Sequence, residues 1–224
     1  SYDGSEYSFG VTDDETTPCG SEALPFSESF DGGSLPACWS TQNSNCTERW
    51  SVSTTTNAGG VSSNEMHASW ENVNPATTRL VTPPINTTGI SQLDLSFRHF
   101  YDDYGSGLTI KIQSSTDEVT WTDEAWINSS GSGNLGPETV NTTISNNLNS
   151  PNTYIAFVLD GNLYQFDNWY IDDINIASGS SCSYPTSQAS VFSASTINQN
   201  DMTIQWTRGD GDAVIVVARE GAAV

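Results

Sequence analysis

Apolar residues recur at every second position in several stretches of the chain. In "QLDLSFRHF", residues 92–100, Leu93, Leu95, Phe97 and His99 alternate with polar neighbours, and "GLTIKIQSS", 107–115, repeats the pattern with Leu108, Ile110 and Ile112. "TYIAFVLDG", 153–161, and "FDNWYIDDINIAS", 166–178, are rich in the aromatic and β-branched residues that strands favour. Period two dominates, and no stretch carries the 3.6-residue period of an amphipathic helix. Between these segments lie "NSSGSGNLGP", 128–137, and "NNLNSPN", 146–152, whose Gly, Asn and Pro supply the backbone angles of chain reversals. The pattern predicts an all-β, many-stranded antiparallel sandwich.

The flanks read differently. Residues 1–18, ending "VTDDETTP", are acidic and aperiodic, as in a linker or the tail of a preceding unit. A second linker, "GSSCSYPTSQ", precedes "MTIQWTRGDGDAVIVVARE", which reads as strand, tight turn and strand with Trp206 as core anchor. The expected organisation is therefore an acidic tail (1–18), a large β domain (19–182) and a smaller β piece (183–224) that continues in a longer parent chain.

Charge narrows the partners. Six Lys plus Arg stand against 27 Asp plus Glu, a net charge of −21 over 224 residues, which repels phosphate backbones and anionic lipid surfaces. Nucleic acid is excluded as a natural partner. No run approaches the ~20 apolar residues that span a bilayer, so membrane insertion is not expected. The first residues lack the regions of a signal peptide, as expected of a processed or excised segment.

Four Cys and two His do not form a zinc spacing, so disulfides in an oxidising compartment are expected. Three pairings are open. The favoured one joins Cys19 to Cys182, both beside linker-like sequence, for roughly 5 kcal/mol, and Cys38 to Cys46 for roughly 2–3 kcal/mol.

The order of "FSESFDGGSLPACW", "RW" at 49–50, "RLVTPPINTTGISQLDLSFRHF", "TYIAFVLDG" and "WYIDDINI" resembles the bacterial cleaved-adhesin and choice-of-anchor-J group. These are jelly-roll modules similar to MAM domains, found in secreted multidomain proteins of Bacteroidetes. The resemblance covers residues 24–178 and implies a jelly-roll β-sandwich. The segment after it resembles the opening hairpin of a fibronectin type III domain.

The acids of "YIDDI" raise a conflict of their own. Two carboxylates ~4 Å apart repel by roughly 4 kcal/mol at an effective dielectric of 20, and Ca²⁺, which takes six to eight oxygen ligands, relieves such a pair. The resemblance implies a structural calcium where the first and last strands meet, with Glu28, Asp31, Asp172 and Asp173 as ligands and Asn64 as a weaker addition.

A second candidate is the aromatic set Trp70, Tyr101, Tyr104 and Trp126 with the loop acids Asp102 and Asp103. Exposed ring faces and carboxylates can stack on and hydrogen-bond to sugars, and "HFYDDYGSG", 99–107, reads as the best loop for that work. Trp39, Trp50 and Trp169 are expected in the core. The tripeptide "RGD" at 208–210 falls in a hairpin turn and is read as that turn. The sequons at Asn45, Asn86, Asn128 and Asn141 are read as chance matches in an Asn- and Thr-rich chain.

Only His67 and His99 are available as neutral-pH bases, and neither the H-E-x-x-H nor the G-x-S-x-G pattern occurs. The leading expectation is a non-catalytic, calcium-stabilised adhesion or recognition module of a secreted or cell-surface bacterial protein, binding a glycan or a surface protein beside neighbouring domains. Alternatives are a carbohydrate-binding module that targets a polysaccharide-degrading enzyme, or a structural repeat in a surface filament.

Overall fold

A computed structural model describes residues 19–179, 187–198 and 201–210. The chain divides into two compact units between Gly179 and Ser180. The first is an antiparallel β-sandwich of two sheets. One sheet has the order β3 (Trp50–Ser53), β4 (Glu65–Ser69), β11 (Phe166–Ser178), β6 (Leu93–Asp103) and β9 (Leu135–Ile144), with β1 (Phe26–Glu28) also paired to β11. The other runs β2 (Ser40–Ser44), β5 (Ala76–Val81), β10 (Tyr154–Gly161), β7 (Leu108–Ser115) and β8 (Thr122–Ser129).

Strand alternation builds the core. Leu93, Leu95, Phe97, His99 and Tyr101 of β6 are buried between the sheets with Trp169, Ile171, Ile174 and Ile176 of β11. From the other sheet come Ile110 and Ile112 of β7 and Ile155, Phe157 and Leu159 of β10. Trp39, Trp50 and Trp169 are buried as the sequence led one to expect. The unbroken apolar run of β10 has a separate cause, since its alternate residues Ala156 and Val158 join Val81 in a small cluster on the opposite face. Trp121 and Tyr154 pack against that cluster, and Arg79 lies 5.4 Å from the Trp121 ring centre. A strand buried on both faces reads as continuous hydrophobicity.

Three expectations need correction. Residues 99–103 are not loop but the end of β6, so only 104–107 connects β6 to β7. Tyr101 is accordingly buried, its ring stacked 6.0 Å from Phe166. Trp126 faces inward from β8, edge-on to Phe97 at 5.3 Å and parallel to Trp169 at 6.3 Å.

The disulfide is Cys19–Cys38, with Cα atoms 5.7 Å apart, and neither expected pair forms; Cys182 lies outside the described residues. Cys38 and Cys46 flank β2, and five extended residues at ~3.3 Å each carry the chain roughly 17 Å, well beyond disulfide reach. Cys46 keeps a free thiol, its Sγ 3.6 Å from the Thr77 carbonyl oxygen.

In the second unit, β12 (Ser190–Ser195) pairs with β13 (Thr203–Thr207). Trp206 is 39% exposed, so among the described residues it is not a core anchor. The Ser187 amide donates to the Asp210 carboxylate at 2.9 Å, tying the acid of the "RGD" turn to its own unit. The strand expected after that turn lies outside the described residues.

Candidate functional site

Three connections meet at one end of the sandwich: 70–75 between β4 and β5, 104–107 between β6 and β7, and 162–165 between β10 and β11. Main-chain bonds lace them together. The Glu71 amide donates to the Leu163 carbonyl (3.2 Å), Leu163 to Val73 (3.0 Å), Trp70 to Asp167 (3.4 Å), Tyr104 to Gln165 (3.2 Å) and Asn162 to Gly107 (2.9 Å). Leu163 is buried in the core and pins the short 3-10 turn Leu163–Gln165, while the Asn162 side chain accepts from the Tyr164 amide at its start. Close backbone approach requires glycine here, because a Cβ on Gly161 would sit 2.5 Å from the Gly107 carbonyl oxygen.

This scaffold carries a row of exposed rings. Trp70, Tyr164 and Tyr104 are 46%, 40% and 60% exposed. Tyr164 meets Trp70 at 5.4 Å and 84°, and meets Tyr104 at 5.4 Å and 82°, so each ring stands nearly perpendicular to the next. The Tyr104 phenol is held above its ordinary pKa, first by side-chain hydrogen bonding with Tyr164 and last by the charge of Asp167.

Of the six residues proposed from sequence for ligand binding, Trp70 and Tyr104 reach this row. Tyr101 and Trp126 do not, because both pack into the core. Asp103 is consumed structurally, accepting from the amides of Gly131 and Gly133 at 2.7–2.9 Å. Asp102 lies in register with Asn168, in β6 rather than in a loop. Tyr164 was missed. Its signal was the same one that drew attention to 99–107, an aromatic in a Gly-, Asn- and Gln-rich turn, "DGNLYQF".

A second cluster lies where β11 changes partner. β4 pairs with Asn168–Ile171 and β1 with Ile174–Ile176, leaving Asp172 and Asp173 between them. Against β6 the register shifts between Asp172 and Asn175, a bulge in which Asp173 has φ +47°. The bulge separates the two acids: Asp172 is buried and Asp173 exposed. The pairing of Ile171 with Met66 also brings Asp172 opposite Glu65, which is fully buried.

Glu65 holds the 54–64 connection over this spot, accepting from Thr55 Oγ1 (2.6 Å) and the amides of Asn57 (2.6 Å) and Ala58 (2.7 Å). Gly60 packs against the Asp172 carboxylate so closely that a Cβ would overlap its Oδ2. The Asn64 side chain donates to the Asp31 carbonyl at 2.9 Å, and the Phe30 amide donates to Glu28 Oε1 at 2.7 Å. Glu28 and Asp173 line one shallow groove of about 380 Å³ with Ser27, Ser29 and Asn175. All five residues proposed as metal ligands thus fall in one neighbourhood, and Glu65 joins them although sequence reasoning passed over it beside Asn64.

Burial pushes the Asp172 carboxyl up to about 7, and the charges of Asp173, Glu65 and Asp31 push the same way. Arg98 lies across from Asp172 in register, yet its Nε donates to the Ala58 carbonyl at 3.3 Å. Among the described residues no ion pair forms at Asp172, and no three His, Cys, Asp or Glu side chains are arranged to hold a metal ion. The cluster is all oxygen, which suits a hard cation, but an ion there would draw the rest of its shell from main-chain carbonyls and water.

No protein-family model matches the chain, and no curated protein matches it in sequence. Among solved structures, the K1 cleaved adhesin domain of Lys-gingipain from Porphyromonas gingivalis W83 is similar at TM-score 0.53 and 18% identity, over 69% of this chain and 98% of that one. The K3 cleaved adhesin domain of the same protein is similar at TM-score 0.48 and 21% identity, over 69% and 98%. TmCBM61, solved with β-1,4-galactotriose, gives TM-score 0.46 and 14% identity, over 67% and 94%. At such identities the likeness to the K1 domain is one of fold.

Proposed function

We propose that residues 19–179 are a non-catalytic recognition module that binds glycan on the Trp70, Tyr164 and Tyr104 row. The observation that carries this reading is the row itself: three exposed rings held on three mutually bonded connections. Apolar ring faces stack on the C–H faces of sugars, and rings fixed before binding lose little entropy when the ligand arrives. The parent is a secreted or cell-surface bacterial protein, in keeping with the Cys19–Cys38 disulfide, and the segment after Gly179 begins a fibronectin type III-like unit. A calcium ion at the bulge would meet Asp172 as its buried carboxylate, with Asp31, Asp173 and Glu28 in the same neighbourhood and main-chain carbonyls and water completing its shell. Bound, it supplies the positive charge that a cluster of carboxylates lacks.

A glycan array followed by titration tests the reading. Trp70→Ala and Tyr164→Ala are expected to abolish binding of the best array ligand, whereas Val119→Ala, on an exposed residue in the separate 116–121 connection, leaves it intact. No binding on the array, or binding that survives both ring substitutions, overturns it.

A further inference from the structure

Perpendicular rings beside an unpaired carboxylate make a receptor for positive charge. From this arrangement we infer that the ligand of the Trp70, Tyr164 and Tyr104 row is an amino sugar chain, whose ammonium groups rest on the ring faces and against Asp167. The inference deepens the proposed glycan reading and rests on it.

Each ring of the row stands near 83° to its neighbour, with spacings of 5.4 Å. Ring faces are the negative parts of the aromatic quadrupole, and rings set at right angles turn such faces toward a cation from different sides. A neutral sugar gains only stacking from them; an ammonium gains cation–π attraction as well.

Asp167 supplies the counter-charge. It is exposed at the start of β11, its carbonyl accepts from the Trp70 amide, and its charge acts on the Tyr104 phenol. Among the described residues its carboxylate makes no hydrogen bond or ion pair. Two other acids nearby are committed: Glu71 to Arg49 (3.6 Å) and the Thr47 amide (2.9 Å), and Asp103 to the amides of Gly131 and Gly133. Arg49 is committed too, its Nη1 donating to the Trp70 carbonyl at 3.0 Å and its Nε to the Thr47 carbonyl at 3.2 Å. The uncommitted charges beside the row are therefore Asp167 and, opposite Asn168 on β6, Asp102, and both are negative.

The net charge of −21 acts in the same sense at longer range. It disfavours glycans bearing uronate or sulfate and raises the local concentration of cationic ones. Acetylation of the amine removes the charge while keeping the sugar ring, so one chemical change separates stacking from charge recognition.

Calorimetric titration of the intact chain with a β-1,4-linked glucosamine hexamer and with its N-acetylated counterpart, at a pH where the free amine is protonated, tests the inference. The amino form is expected to bind about fivefold more tightly at low salt, from cation–π and ion-pair contributions together. About 0.5 M NaCl should shrink that preference, and Asp167→Asn should narrow it to the cation–π share. Equal affinities, a preference unchanged in Asp167→Asn, or no binding of the glucosamine hexamer overturns the amino-sugar assignment. If a neutral array glycan nevertheless binds and is lost in Trp70→Ala, the row remains a glycan site and only the charge assignment falls.

Discussion

Among the described acids, Asp172 is held well above the ordinary carboxylate pKa, by burial first and then by like charge. A carboxylate under the 54–64 connection has Asp173 on its own strand, Glu65 across on β4 and Asp31 on the 29–39 connection, all of one sign. Arg98, the cation of the adjoining strand, spends its Nε on a carbonyl. Because its pKa of about 7 in the fold exceeds the ordinary carboxylate value, the folded state holds this proton more tightly than the unfolded chain does. Its contribution to stability is complete at low pH and is lost as pH rises from about 4 to about 7. His99 works in the opposite direction. Burial lowers its pKa, and its Nδ1 accepts from the Trp169 indole at 3.3 Å, so acid opposes that core contact. Variant and parent must therefore be compared at each pH. With chelator present, the melting temperature of Asp172→Asn relative to the parent is expected to rise between pH 4 and 7. Calcium should stabilise the parent at pH 7.5, where the carboxylate is charged, and should do little for Asp172→Asn. A parent whose melting is unmoved by chelator, with no ion on elemental analysis, removes the calcium proposal while leaving the pH argument standing.

Strands were legible where one face is buried and the period is two. β6, β7, β10 and β11 overlap the stretches read as strands: Leu93 to His99 and Leu108 to Ile112 show the alternation of a pleated strand, and β10 shows the continuous run of one buried on both faces. What local pattern could not show was where alternation continues through polar residues. Tyr101 keeps the inward phase of β6 as far as Asp103, although "YDDYG" looks like a loop. Trp126 was misread for the same reason, since its neighbours Ala125 and Ile127 on edge strand β8 are exposed and the other buried residue of that strand, Glu124, is polar. The bulge was signalled by two acids between isoleucines, but its consequence, one carboxylate in and one out, depends on strand pairing across more than a hundred residues. The disulfide was lost to the same long-range blindness. Cys19 finds Cys38 because the chain from 19 to 38 folds back beside the start of β2, closing a loop with a sequence separation of 19. On the chain-entropy account a loop of this length contributes about 3 kcal/mol. The Cys19→Ser, Cys38→Ser double variant is accordingly expected to lose about 3 kcal/mol in urea unfolding, or roughly 6–12 °C in Tm for a domain of this size. A loss below ~1 kcal/mol would mean that the segment is held by Phe30 and Trp39, whose rings pack at 5.2 Å, without help from the staple.

The balance of 27 acids against six basic residues sets the behaviour of the chain as a folded body. Pairs such as Lys111 with Asp123 (3.2 Å) and Asp160 (3.0 Å) use up basic groups on the outer face of the five-stranded sheet, leaving most carboxylates of the described residues without a basic partner. Compaction raises the repulsion among them, so it falls more heavily on the folded state than on the expanded chain. The Debye length shrinks from ~30 Å at 0.01 M salt to ~3 Å at 1 M. Melting temperature with chelator present is therefore expected to climb with NaCl over this range, steeply at first and then flattening as screening becomes shorter than the spacing of surface charges. Calcium separates general screening from a specific site. At matched ionic strength a few millimolar Ca²⁺ should stabilise beyond what Na⁺ achieves, and Asp172→Asn should retain the NaCl response while losing the calcium increment. A variant that loses both responses would place the repulsion that limits this fold at the bulge itself, with the distributed surface charge contributing little.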